Sequence, residues 1–153
     1  MNRYPYNPPH FPHIFWKALC PPKYIFFAWL VFYNKNLTWE NLRKRSWNGP
    51  SRCSLCGNDE ETNIHLFIKC PVTLQIWYVL AQNFVFTLID FDTITAAFIW
   101  WSKQRGHNRF IIMIFLWRIW KWRNDIIFNN LHMPTISIID SILSIWHMIY
   151  GPP

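Results

Sequence analysis

Four side chains that can bind a metal ion lie close together in the middle of this sequence. They are Cys53, Cys56, His65 and Cys70, and their spacing is C-x2-C-x8-H-x4-C. A C-x2-C turn can place two thiolates on one ion, and a histidine and a cysteine further along can complete the tetrahedron of a closed structural zinc site. Gly57 follows the second cysteine, where a tight turn needs a residue that accepts positive φ. The spacing therefore predicts a bound Zn²⁺ that supports folding and does no chemistry, because four protein ligands leave no open position.

The same cysteines could instead form a redox pair or structural disulfides. Redox C-x-x-C motifs open a helix after a βαβ strand, and no such strand pattern precedes Cys53. Disulfides belong to oxidising compartments, and the first twenty residues lack the apolar segment of a secretion signal. The fourth cysteine, Cys20, lies far upstream beside Pro21-Pro22, where we expect an ordinary buried thiol. These comparisons favour zinc.

The four ligands stand within a longer, ordered series of motifs. The series runs Phe15-Trp16-Lys17, Pro21-Pro22-Lys23 with an aromatic run behind it, Leu37-Thr38, Leu42-Arg43-Lys44-Arg45, Cys53-Ser54-Leu55-Cys56-Gly57, Glu61-Thr62, His65-Leu66-Phe67, Cys70-Pro71 and Ile76-Trp77. It resembles the reverse transcriptase zinc-binding domain of plant non-LTR retrotransposons over about residues 15–78. A second segment, residues 116–128 with Trp120-Lys121-Trp122-Arg123-Asn124, resembles a helix found further along those polyproteins.

The resemblance implies an accessory zinc domain separated from catalytic neighbours. The paired-Asp strand motif of the polymerase is absent from the sequence, and its eight acidic residues include no set of four carboxylates of the ribonuclease H kind. We also find no general acid–base pair, Gly-rich phosphate loop or nucleotide motif. We therefore expect no enzymatic activity. A decayed retroelement relic without selected activity is an alternative that the sequence leaves open.

The charge pattern favours weak, non-specific binding of RNA or DNA. The formal net charge is +7, and four cations precede or enter the cysteine-rich segment: Arg43, Lys44, Arg45 and Arg52. A second basic zone lies over residues 103–123. The cations of both zones can contact phosphates, and the tryptophans interleaved with them can stack on unpaired bases: Trp39, Trp47, Trp117, Trp120 and Trp122. Phe67 lies beside a ligand and could stack in the same way. Because residues 59–61 are all acidic, we expect the phosphate contacts on the Arg43–Arg52 side.

The apolar content points to a second alternative, a protein-interaction or packing module. Apolar residues make up 52% of the chain and aromatic residues 20%, whereas charged residues make up only 15%. A domain of this size has difficulty hiding so many large side chains. A protein partner that covers exposed aromatics would explain the excess.

The predicted fold is mainly α, a small helical domain with an inserted Cys3His zinc-knuckle-like loop. We expect three parts: a Pro-rich, extended or mobile arm over residues 1–14, the zinc-binding domain over 15–84, and a helical C-terminal region over 85–150. Helices are predicted over 24–33, 71–84, 93–104, 108–129 and 134–148, with a short one after Thr38 and an ambiguous segment at 84–89. The long apolar stretches are interrupted by charges such as Asp90 and Arg118. We therefore expect no membrane span and an intracellular protein, in the nucleus or the cytoplasm.

Overall fold

The structure is a computed structural model, and it describes residues 9–152 of the chain. Its α-helices are α1 (Pro22–Phe32), α2 (Trp39–Lys44), α3 (Pro71–Phe84), α4 (Ile94–Ser102), α5 (Ile111–Asn129) and α6 (Thr135–Tyr150). Single turns of 3₁₀ helix lie at His13–Lys17 and Gly106–Phe110, and a π-helical turn lies at His65–Lys69. Across residues 9–152 the β-type pairing is one isolated bridge between Arg52 and Glu60. The mainly helical fold, with a loop inserted after the second helix, is confirmed.

The helix ends follow the local signals in the sequence. The side chains of Thr38 and Thr93 cap α2 and α4 by accepting hydrogen bonds from backbone amides three residues on. Pro22 and Pro71 occupy the first positions of α1 and α3, where the missing amide hydrogen costs nothing. The predicted start of α5 at Asn108 is three residues too early, because Gly106–Phe110 forms a separate 3₁₀ turn. The ambiguous segment after α3 is irregular chain.

The core is built around α5, which packs against α1 on one side and α6 on the other. Phe27 of α1 shows how the parts meet: its ring lies 5.8 Å from Trp117 and 5.6 Å from Trp120 of α5. It also lies 6.4 Å from Phe67 in the turn that carries His65. One apolar cluster therefore includes side chains from both sides of the predicted boundary at 84/85. That boundary stays a prediction.

The described part of the Pro-rich arm is packed against the core. Its residues 1–8 lie outside the described part of the chain, but Phe11 is buried against Phe15, Phe32 and Phe98. The backbone amide of Phe11 also donates a hydrogen bond to the Tyr33 hydroxyl at 3.1 Å. The proline pattern predicted an extended or mobile segment, and the phenylalanine in it is what anchors this stretch.

The helical spacing of Leu74, Trp77, Tyr78 and Ala81 predicts that α3 buries the face carrying them, but of these four only Trp77 is buried, so the helix is rotated. Leu74 and Tyr78 are exposed, whereas Ile76 and Leu80 are fully buried. Two polar contacts set this rotation. The Thr73 hydroxyl donates to the carbonyl of Leu66 at 2.8 Å, and the Trp77 indole donates to that of Phe67 at 2.8 Å. The turn that carries His65 therefore orients the helix that follows it.

The longest described helix, α5, has 19 residues and is interrupted by basic side chains. Among the helices in residues 9–152, none is both long and apolar enough to cross a membrane.

Two arginines of α5 are partly or fully buried. Arg118 is half-buried and donates to the Ser141 hydroxyl of α6 at 2.8 Å. Arg123 is buried more deeply, with 2% of its surface exposed.

Adjacent phenylalanines on α1 provide a matched test of this packing. Phe27 is 5% exposed and Phe26 is 58% exposed. We expect Phe27→Ala to lower the free energy of unfolding by about 3–5 kcal/mol, since it removes a ring enclosed by three others. Phe26→Ala should cost less than about 1 kcal/mol, mainly its stacking on Trp29. Urea denaturation of both variants measures the difference, and equal losses would contradict the packing described here.

Candidate metal centre

The four predicted ligands converge in space. One ligand atom from each of Cys53, Cys56, His65 and Cys70 can be chosen so that all four lie within 4.8 Å of one another. The sulfurs of Cys53 and Cys70 are 3.9 Å apart, and Nε2 of His65 is 3.2 Å from the sulfur of Cys56. Ligands on a tetrahedral ion with metal–sulfur bonds of about 2.3 Å are separated by about 3.8 Å. The spacing of the donors matches that geometry.

The first two ligands are presented by a tight turn at the start of the metal loop, residues 51–70. Gly57 adopts φ +71°, and its amide donates to the carbonyl of Cys53 at 2.8 Å. The amide of Asn58 points at the sulfur of Cys56 at 3.4 Å. The amide of Cys53 then donates to the carbonyl of Asp59 at 2.8 Å, which closes the turn. The predicted role of Gly57 is confirmed.

The other two ligands stand at the two ends of the π-helical turn. The hydroxyl of Thr62 accepts a hydrogen bond from the amide of His65 at 3.1 Å and fixes the start of the turn. The amide of Cys70 donates to the carbonyl of His65 at 2.7 Å, and Cys70 then caps α3. This hydrogen bond joins residues five positions apart, one more than in an α-helix. The wider turn brings the side chains of His65 and Cys70 to the same side of the helix.

The pKa values of the Cys53 and Cys70 thiols are shifted in opposite directions by their mutual contact. A hydrogen bond between the thiols of Cys53 and Cys70 raises the pKa of Cys53 and lowers the pKa of Cys70. Burial raises the pKa of Cys53 further, whereas the amides of Thr73 and Val72 at the start of α3 favour the thiolate of Cys70. A divalent cation bound between these two sulfurs would balance the charge of two thiolates.

The donor set fits a closed tetrahedral site. All four cysteines are free thiols, and 3.9 Å between two sulfurs is far longer than a disulfide bond of about 2.05 Å. With Nε2 of His65 facing the sulfurs, its Nδ1 faces the carboxylate of Asp59 at 3.9 Å. At 3.9 Å the two groups are close but do not form the hydrogen bond by which carboxylates orient histidine ligands in metal sites. The residues present can therefore hold one metal ion with four protein ligands.

Cys20 lies outside this cluster, as the sequence predicted. The thiol is half-buried, and burial raises its pKa to about 11. A thiol with that pKa is neutral near pH 7, so it is a poor metal ligand.

The four cations proposed for phosphate contact differ in how much charge they leave available. Arg43 forms an ion pair with Glu60, and Lys44 forms one with Glu40 at 2.9 Å. Arg52 donates to the carbonyl of Asn58 at 3.0 Å, so it lies against the first turn of the metal loop. A neutral carbonyl does not offset the positive charge of this arginine. Arg45 is exposed at the end of α2. Their role in binding nucleic acid stays a prediction.

Most of the aromatic residues expected to stack on bases are buried or packed against other rings. Phe67 is 0% exposed, and Trp39 and Trp122 are buried as well. Trp47 is partly exposed, but one face of its ring stacks on Trp39 with centroids 4.9 Å apart. Gly49 lies against the same ring so closely that a Cβ there would overlap it. The interpretation of Phe67 as a stacking residue is therefore wrong, because α1 and α3 enclose it.

Sequence reasoning missed one buried ion pair that joins the metal loop to α5. Glu61 is 0% exposed, and its carboxylate accepts two hydrogen bonds from Arg123, at 2.6 and 3.1 Å. These residues are 62 positions apart, so no spacing rule connects them. Both belong to recognised motifs, the Glu-Thr pair and the Trp-Lys-x-Arg-Asn helix, and that common membership was the available signal.

The structure thus combines a mainly helical fold with a Cys3His cluster that could hold a metal ion. Residues 3–77 match the family model described as zinc-binding in reverse transcriptase. The match spans just under half of the chain, and it confirms the resemblance stated from its motifs.

The chain is also similar to a longer plant protein. It is 28% identical over 136 residues to an Arabidopsis thaliana protein named "Putative ribonuclease H protein". The alignment covers 81% of this chain and 21% of that relative, so the chain spans about a fifth of the relative's length. No solved structure matches the chain.

Replacing one ligand tests the cluster, and Cys20 supplies the control. We expect one equivalent of zinc in the parent and in Cys20→Ser, purified under reducing conditions, and none retained by Cys70→Ser after chelating resin. Zinc at about 1,000 times its Kd should stabilise the parent by about 4 kcal/mol, because the ion binds the folded chain. Elemental determination and thermal unfolding measure the two effects. Full zinc in Cys70→Ser would contradict the four-ligand site.

Proposed function

We propose that this chain is a non-catalytic zinc-binding domain, derived from a retrotransposon reverse transcriptase, that binds RNA or DNA weakly and without sequence preference. The observation that carries the zinc assignment is the convergence of three thiols and one imidazole within 4.8 Å. Cys53, Cys56, His65 and Cys70 hold the ion. Bound zinc supplies folding free energy and charge neutralisation for the thiolates.

The metal supports a loop that has little core of its own. Between Arg43 and Glu60 the buried side chain is that of Cys53. Ordering such a segment costs conformational entropy that apolar burial within it does not offset. Zinc binding is the interaction that fixes it, and with it the backbone on which Arg52 stands.

The proposed nucleic-acid surface lies beside the first turn of the metal loop. Arg45 and Arg52 present charge there without an acidic partner in the described chain. Arg43 and Lys44 have exposed side chains, and a phosphate could exchange with the carboxylates that pair them. Because the nearby aromatics are occupied in packing, the contacts would be to phosphates, which carry no sequence information.

The proposed absence of catalysis rests on the closed coordination sphere. Four protein ligands leave no position for a water or a substrate on the ion. The Arabidopsis relative is named for ribonuclease H, but the alignment covers 21% of that protein. We place any such activity in parts of the relative beyond the segment matched here.

A second candidate function is docking of a protein through exposed aromatics. Phe26, Tyr78 and Phe128 each expose more than half of their side chains on α1, α3 and α5. Large exposed apolar side chains are a feature of protein-interaction surfaces. Self-association that does not weaken with salt would favour this candidate over nucleic-acid binding.

Removing charge at the proposed surface tests the nucleic-acid function. We expect the zinc-loaded chain to bind single-stranded RNA with a log–log salt slope between about −1.4 and −2.8, for two to four phosphate contacts. Substitution of Arg43, Lys44, Arg45 and Arg52 by glutamine should abolish this binding. Fluorescence anisotropy at several salt concentrations, with labelled RNA and then DNA, measures both affinity and slope.

A control variant removes the same charge elsewhere. Glutamine at Lys103, Arg105, Arg109 and Lys121 lowers the net charge equally but leaves the metal loop unchanged. Binding retained by this control and lost by the first variant supports the assignment. Equal losses would show that total charge is sufficient and would overturn the choice of residues. No binding by the parent would overturn the nucleic-acid function itself.

A further inference from the structure

Arg123 is the most deeply buried arginine or lysine in the described chain, with 2% of its surface exposed. Its Cζ lies 4.5 Å from the ring of Trp39 on one side and 4.5 Å from that of Trp120 on the other. The stack continues from Trp39 to Trp47, so Trp47, Trp39, Arg123 and Trp120 form one column. Between those rings the guanidinium makes two hydrogen bonds to Glu61 and one to Asn124. The guanidinium is fixed in one orientation, because indole rings contact its faces and hydrogen bonds hold its edge.

Glu61 stands at the base of the metal loop, where two strands of chain meet. Its amide donates to the carbonyl of Ser51 at 2.9 Å, just before the first ligand. Its carbonyl accepts the amide of Glu40 at 3.3 Å, and its carboxylate accepts that of Trp39 at 3.0 Å. The next residue, Thr62, caps the turn that carries His65. The position of Glu61 therefore sets the approach to both halves of the ligand set.

We propose that Arg123 is a positioning residue for the metal site: through Glu61 it fixes the separation between the Cys53–Cys56 turn and the turn carrying His65 and Cys70. This inference rests on the proposed zinc site. Without Arg123 the buried Glu61 carboxylate loses its counter-charge, and it must move toward water or take up a proton. Either change would weaken the hydrogen bonds that tie Glu61 to the carbonyl of Ser51 and to the amide of Trp39. Arg123 itself contacts no ligand, so its effect on the metal is indirect.

A purely structural ion pair would behave differently. It would stabilise the metal-free and the zinc-bound chain equally, and its loss would leave zinc affinity and ligand geometry unchanged. A positioning residue changes the affinity itself, and loss of such outer-shell partners weakens metal binding by about 10- to 100-fold. Zinc affinity and the spectrum of the metal therefore separate the two roles.

The central experiment compares Arg123→Met with Arg123→Lys and Arg118→Met in the full, reduced chain. We expect Arg123→Met to weaken zinc binding by about 10- to 100-fold, measured by competition with a chromogenic chelator. Arg123→Lys should recover part of this loss, because the ammonium keeps the charge without the two-pronged hydrogen bonding. Arg118→Met changes a different arginine of α5, which is half-buried and bonded to Ser141, and should leave zinc affinity within about threefold of the parent.

Cobalt(II) provides a readout that stability alone does not move. The d–d bands of Co²⁺ in the parent should have the intensity of a tetrahedral site, and in Arg123→Met they should weaken and shift. Phe98→Ala serves as a control for lost stability, since its fully buried ring packs on Phe11, Phe15 and Phe32 rather than on the metal loop or Arg123. Unchanged cobalt spectra and zinc affinity in Arg123→Met, or an equal loss in Phe98→Ala, would overturn the inference.

A variant without either charge guards against failure to fold. Glu61→Leu with Arg123→Met replaces the pair by apolar side chains, which buried sites often tolerate. If this double variant folds and binds zinc as the parent does, the pair is not needed to position the ligands and the inference fails. If it folds but binds zinc 10- to 100-fold more weakly, the inference stands. A parent that binds no zinc at all would instead overturn the proposed function.

Discussion

The first part of the segment between α2 and α3 has few apolar side chains to bury, so a cluster of potential metal ligands and a buried ion pair are the main contacts that order it. Residues 43–60 are exposed or half-exposed apart from Cys53. Two anchors hold the segment: the Cys3His cluster at its tip and the Glu61–Arg123 pair at its base. Each anchor joins parts of the chain that are far apart in sequence. Without these anchors, residues 43–60 would have little buried apolar surface to offset the entropy cost of ordering them.

The base anchor also explains why the C-terminal helices belong with the metal loop. Arg123 reaches Glu61 only because α5 lies against α1, and Phe27 fills the space between them. The second anchor of the loop is therefore supplied by a helix beyond the segment that matches the family model, residues 3–77. This arrangement gives a physical reason for the Trp-Lys-x-Arg-Asn motif in α5: the tryptophan and the arginine are adjacent members of one stacked column.

Local signals in the sequence were sufficient for the helices and for the ligand set. Thr38, Thr93, Pro22 and Pro71 mark helix starts, and the cysteine and histidine spacing identifies the cluster. Features that depend on contacts between residues far apart in the sequence could not be predicted from local signals. The rotation of α3 follows from hydrogen bonds to Leu66 and Phe67, which periodicity does not detect. The pairing of Glu61 with Arg123 spans 62 positions, so only the folded structure brings it into view.

Ion pairs within the chain reduce the positive charge that its surface can offer to a phosphate. A formal charge of +7 counts every cation equally, but Arg123 is buried against Glu61, and Arg43 and Lys44 have acidic partners. Acidic residues that seemed to repel a polyanion from the metal loop are partly neutralised by the same contacts. The charge open to a phosphate is therefore smaller near α2 than the sequence suggests, and the loop is less repulsive. Both corrections favour contacts that are weak, few and sensitive to salt.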